Sequence, residues 1–190
     1  MKNLAIFASG SGTNAENIII YSQLSKLFCV KLILSNKYDA GVIDRAKKYN
    51  VPVLVFDKKM FYESNEVINI LKKNSIDFII LAGFLWLVPA SLIKEFNEKI
   101  INIHPALLPK YGGKGMFGMN VHNAVIQNDE KMSGITIHYI DEVYDRGKYI
   151  LQVCIKVEDN DTPDSLANKI HQLEYYYFPK AIEFEVLKSL

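Results

Sequence analysis

Apolar residues fall along this chain in two alternating rhythms. Short runs rich in Ile, Leu, Val and Phe near residues 3–8, 28–35, 52–55, 77–82 and 100–103 have the length of buried strands. Between them, near 14–26, 40–49, 61–73 and 89–97, apolar positions follow helical spacing. In the third of these helices Val67, Ile70 and Leu71 share one face, and Lys72 and Lys73 occupy the last turn, where cations suit the helix dipole. Strand and helix alternating in this way predict an α/β fold, a mainly parallel central sheet with helices on its faces.

Past residue 104 the rhythm changes. A long loop over 105–119 carries Gly112, Gly113, Gly115 and Gly118, and a helix follows near 120–128. Two alternating strands come next, with Ile135, Ile137 and Tyr139 on one face of the first. Tyr149, Leu151, Val153, Ile155 and Val157 line one face of the second, so late antiparallel strands are expected. The last helix has clear start chemistry in Thr162, Pro163 and Asp164, and Pro179 should kink or interrupt it. No repeat or linker divides the 190 residues, and a single domain over 1–190 is expected.

Composition narrows the possible partners. The chain is 49% hydrophobic and 23% charged with a formal net charge of +1, so neither nucleic acid nor membrane is favoured as partner. The longest apolar run, Phe78 to Ala90, contains Gly83 and Pro89 and is too short to cross a bilayer. The apolar start of the chain breaks off at Ser9-Gly10-Ser11-Gly12, which fits a buried first strand better than a signal peptide. Cys29 and Cys154 sit in apolar runs without metal-ligand spacing and read as buried thiols of a cytoplasmic protein.

The densest chemistry lies in Asn102-Ile103-His104-Pro105-Ala106-Leu107-Leu108-Pro109, where a strand stops. Positions i and i+2 share a face, so Asn102 and His104 project together beyond the strand end. An amide donor beside a titratable ring suits acyl-type chemistry, in which charge builds on a carbonyl oxygen. Asp141-Glu142-Val143-Tyr144-Asp145-Arg146-Gly147 supplies three carboxylates, one of which could orient His104 and favour its protonated form; each alone also fits a solvated loop charge. His122, His138 and His171 show no metal spacing and read as structural or surface groups, so no metal is expected.

The first strand runs into Ser9-Gly10-Ser11-Gly12-Thr13-Asn14-Ala15 and a helix, a geometry that offers free N–H groups to an anion. A dinucleotide site would call for an acid after the second strand, where this chain has Ser35-Asn36-Lys37. A phosphate monoester, a dinucleotide and a ligand-free turn stay open, the missing acid counting against the second. Trp86, just past the fourth strand, fits either the core or the wall of a slot for an aromatic ligand.

Together, Asn102 to Tyr111, Ser35-Asn36-Lys37, Leu81-Ala82-Gly83-Phe84 and Ile150-Leu151-Gln152 resemble the phosphoribosylglycinamide formyltransferase family over essentially the whole chain. The resemblance implies a Rossmann-like formyltransferase fold and transfer of the formyl group of 10-formyltetrahydrofolate to the primary amine of glycinamide ribonucleotide, in purine synthesis. It implies catalytic roles for Asn102, His104 and Asp145, with Asp145 raising the His104 pKa. It places the ribonucleotide on Gly12, Thr13, Asn14 and Glu174, and the folate on Leu85, Trp86, Leu87, Val88, Asn102, Asp141 and Val143. On this view the half up to about residue 100 binds phosphate and the half from about 101 holds catalysis and folate. The expected assembly is a monomer or weak homodimer. Trp86 and Ser64 depart from the family where several relatives carry arginine, and Gly112 to Met119 forms a longer loop that could act as a flap. A transfer-RNA formylating relative would need a further module, a hydrolase a regulatory domain, and a sugar-amine formyltransferase no such glycine loop. A non-catalytic nucleotide module would not need the three polar groups to converge.

Overall fold

A computed structural model describes residues 1–190. In chain order the elements are β1 (Lys2–Phe7), α1 (Thr13–Leu24), β2 (Phe28–Ser35), α2 (Gly41–Lys48), β3 (Val53–Val55), α3 (Glu66–Lys73) and β4 (Phe78–Leu81). There follow α4 (Ala90–Glu95), β5 (Ile100–His104), α5 (Met119–Gln127), β6 (Met132–Tyr139), β7 (Tyr149–Lys156) and α6 (Pro163–Lys188). The seven strands form one sheet in the order β3-β2-β1-β4-β5-β6-β7. β1 to β5 pair in parallel, while β6 and β7 run antiparallel, as the alternation predicted.

The period-2 geometry of β1 feeds two cores at once. Leu4 and Ile6 point into a layer shared with α1, α2, α5 and α6, and Ala5 and Phe7 into a smaller one under α3 and α4. All four are fully buried, and each large side chain contributes roughly 1.5–3 kcal/mol by leaving water. β2 and β4 flank β1 on opposite sides, so the connections leaving its carboxyl end diverge and open a crevice there.

Three expectations need correction. The helix expected over 61–73 is split into a single π turn, Lys59–Glu63, and α3. Ser64 between them is extended, and its Oγ accepts the Glu66 backbone N–H, a local bond that competes with helix continuation. Cys154 is exposed because β7 is an edge strand whose alternate positions face solvent, and Cys29, on β2, is only partly buried.

The third correction concerns Pro179, which does not interrupt α6. A proline leaves the carbonyl four residues earlier without its donor. Here that carbonyl, on Tyr175, accepts from the Asn17 side-chain amide of α1 at 2.7 Å. The vacancy in the ladder is filled from a neighbouring helix. Asn17→Ala should therefore lower stability by about 1–2 kcal/mol in urea titrations, and by less when Pro179→Ala restores the missing N–H. Equal losses in both backgrounds would disprove this account of the continuous helix.

Candidate active site

The crevice is a cleft of about 600 Å³ at the carboxyl ends of β1, β4 and β5. One end is formed by the Gly10–Asn14 loop. Gly12 has φ of 75°, and a β-carbon there would collide with Val42 of α2, so the turn needs glycine for packing alone. No side chain caps the start of α1, so its first N–H groups remain free toward the cleft. The Asn14 amide donates to Glu174 Oε2 of α6 at 2.8 Å, which joins the expected Gly12, Thr13, Asn14 and Glu174 into one subsite. Burial pushes the Glu174 carboxyl up to about 7, against the Asn14 hydrogen bond, which lowers it.

At the centre, β5 ends with Asn102 half-buried and His104 only 4% exposed. Asp145 reaches His104 from the loop after β6. Its Oδ2 lies 3.6 Å from His104 Nδ1 and its Oδ1 3.7 Å from His138 Nε2. Gly113 N–H donates to the same carboxylate at 2.8 Å. Asp145 has φ of 57°, a left-handed conformation that short polar residues adopt most readily. Burial acts to raise its carboxyl, but the His138 and His104 rings, where protonated, and the Gly113 N–H outweigh it and hold it below the usual range.

Asp145 does act to raise the His104 pKa, as expected, but its effect is outweighed. Burial dominates and leaves the imidazole below its ordinary value, although Asp145 and the Tyr111 carbonyl act to raise it. At neutral pH the resting ring is neutral. His104 Nε2 lies 2.7 Å from that carbonyl, which can only accept, so Nε2 carries the proton. The turn beyond His104 is pinned by Thr136, whose Oγ1 donates to Ala106 and accepts from Leu108 N–H and from Gln152.

The far wall is made of Leu85, Trp86, Leu87 and Val88, facing Asp141, Val143 and Tyr144. Leu85 and Leu87 are exposed to the cleft, whereas Val88 is mostly core. Trp86 joins a ring cluster with Phe56, Phe61, Tyr62 and Phe84. Asp141 caps its own turn through the Val143 N–H at 2.8 Å. The groups expected for catalysis, ribonucleotide and folate thus share one cleft. His122, His138 and His171, read from sequence as structural or surface groups, line it too. His138 is fully buried beside Asn102, and burial holds His122 down to about 4. The signal for His138 was the β5–β6 pairing, which sets Asn102 opposite His138.

A family model described as formyl transferase matches residues 2–182. The chain belongs to the formyl transferase family. It is 40% identical to the chloroplastic phosphoribosylglycinamide formyltransferase of Arabidopsis thaliana over 95% of its length and 64% of that protein's. It is 34% identical to the phosphoribosylglycinamide formyltransferase of Bacillus subtilis, covering 96% of this chain and 94% of that one. It spans less than two thirds of the two plant relatives, 64% of one and 60% of the other. The crystal structure of phosphoribosylglycinamide formyltransferase from Bacillus halodurans superposes with a TM-score of 0.89 at 38% identity, covering 100% of this chain and 97% of that one.

Glu174 sets a pH dependence. A carboxyl raised from 4.5 to about 7 in the folded state stabilises relative to its ionised form below 4.5, and that advantage is lost as pH rises toward 7. Glu174→Gln should gain stability over the parent by roughly 3 kcal/mol between pH 4 and 8, most of it between 4.5 and 7. Parallel urea titrations read the difference, and a flat one would show that the carboxyl ionises normally.

Proposed function

We propose that this chain transfers the formyl group of 10-formyltetrahydrofolate to the primary amine of glycinamide ribonucleotide, giving formylglycinamide ribonucleotide and tetrahydrofolate. The single observation that carries the proposal is the meeting of Asn102, His104 and Asp145 midway along a cleft with a free helix N-terminus at one end and an apolar wall at the other. The ribonucleotide phosphate would rest on the backbone of Gly12, Thr13 and Asn14, and its ribose hydroxyls on Glu174. The pterin would lie against Leu85 to Val88, under Asp141 and Val143. Both halves of the chain feed these subsites, in keeping with one catalytic unit over 1–190.

The chemistry follows from the states of these groups. The amine nitrogen attacks the formyl carbon, and the carbonyl π pair moves onto oxygen. Asn102 donates to that oxygen, and one well-aimed donor is worth roughly 3–4 kcal/mol of barrier. The neutral His104, with its basic Nδ1 toward Asp145, accepts the proton lost by the attacking nitrogen. The imidazolium so formed is stabilised by Asp145. Collapse of the intermediate breaks the bond to the folate nitrogen, which takes that proton as it leaves. For the ring to turn toward substrate, Tyr111 must release Nε2, so the Tyr111–Gly118 segment has to shift during turnover. The two free thiols suit a cytoplasmic setting.

His104→Ala should slow formyl transfer by roughly 10³-fold or more while ribonucleotide affinity stays within a few-fold. Turnover is followed by the folate absorbance change with and without ribonucleotide. Near-parental turnover would remove His104 from the chemistry, and a signal independent of the amine would point to hydrolysis instead. Gly10→Ala, a position with open space around it, should weaken ribonucleotide binding without unfolding the loop. Unchanged affinity would move the phosphate elsewhere.

A further inference from the structure

His138 is a buried polar group of the cleft that the proposed chemistry leaves without a task. Its surroundings define its tautomer. Nδ1 lies 2.7 Å from the Tyr139 carbonyl, and because a carbonyl only accepts, Nδ1 carries the proton. In the neutral ring Nε2 has a bare lone pair, which faces Asp145 Oδ1 at 3.7 Å as well as Asn102; a doubly protonated ring would instead point an N–H at that carboxylate. The Asn102 Nδ2 stands 3.1 Å from that lone pair and donates to it.

An asparagine amide can turn end for end with almost no change in shape, so packing alone does not decide which end faces a substrate. The chemistry of Nε2 does. With nitrogen toward His138, one amide hydrogen is used and the second has no protein partner, on a residue that lines the cleft. Turned over, the amide would set its own oxygen against the imidazole lone pair, two acceptors facing each other. It would then offer no hydrogen from that end to His138 and less to a developing oxyanion.

We propose that His138 is a positioning residue for formyl transfer: its bare Nε2 fixes the Asn102 amide so that the remaining N–H is held ready for the formyl oxygen. The inference rests on the formyl-transfer reading of the same site. Two features beyond the bond itself support it. The β5–β6 register places Asn102 and His138 directly opposite one another, so the contact is built into the sheet. Gly147 lies against the Tyr139 carbonyl so closely that any β-carbon would strike it. The absence of a side chain at 147 therefore leaves that carbonyl where it selects the His138 tautomer.

His138→Phe keeps a planar ring and removes the acceptor. It should lower kcat by roughly 10²-fold, the usual worth of one oxyanion donor, with little change in either KM. Introduced into Asn102→Ala, it should cost less than about threefold more, because the residue it positions is gone. Single-turnover measurements with enzyme in excess keep the slow variants readable. Full multiplicative losses, or a near-parental kcat for His138→Phe, would overturn the proposal. Nitrogen NMR of the parent protein with labelled histidine tests it without activity or substitution: Nδ1 protonated and Nε2 bare is required, and either the opposite tautomer or a doubly protonated ring would refute it. Should the parent protein form no product at all, the formyl-transfer reading fails, while the NMR result still decides the Asn102–His138 geometry.

Discussion

β6 runs antiparallel to β5 in a register that sets Asn102 against His138 and His104 against Thr136. Side chains alternate faces along a strand, so a slip of one residue would turn all four polar groups away from one another. In register, Asn102 and His138 share a hydrogen bond, while Thr136 holds the turn that follows His104. The loop leaving β6 then returns Asp145 to both imidazoles. Reversal of one strand in an otherwise parallel sheet is what lets three distant stretches of chain meet.

The electrostatics of the cleft are governed more by burial than by pairing. His104 and His122 are pushed toward the neutral ring, and Glu174 toward the neutral acid. Asp145 alone among these is held toward its ionised form, with the Gly113 N–H donating to it at 2.8 Å. A neutral base beside a fixed negative charge is suited to receive a proton and then to be stabilised in its charged form.

Much of this was legible in the sequence, for reasons that differ by element. Strands buried on both faces announced themselves as continuous apolar runs, and Thr162-Pro163-Asp164 marked the start of α6 correctly. Asn102 and His104 could be paired because i and i+2 share a face. Two of the failures share a source, groups satisfied by distant partners. Pro179 stays inside a helix because Asn17 reaches its orphaned carbonyl, a contact 158 positions away in sequence. His138 looked like one more alternating strand residue until the neighbouring strand was known. The sign of the His104 shift depended on burial, which one sequence does not print, and Cys154 became exposed only because β7 turned out to be an edge.

The bonds between α1 and α6 have a practical corollary for anyone recombining this fold. Asn14 meets Glu174, Asn17 meets the Tyr175 carbonyl, and Tyr21 and Ser25 both reach Glu183. These four rungs form a zipper between the first and last helices. In a chimera or a circular permutation the two must be inherited as a matched set, since swapping either one alone would strand its partner's polar groups.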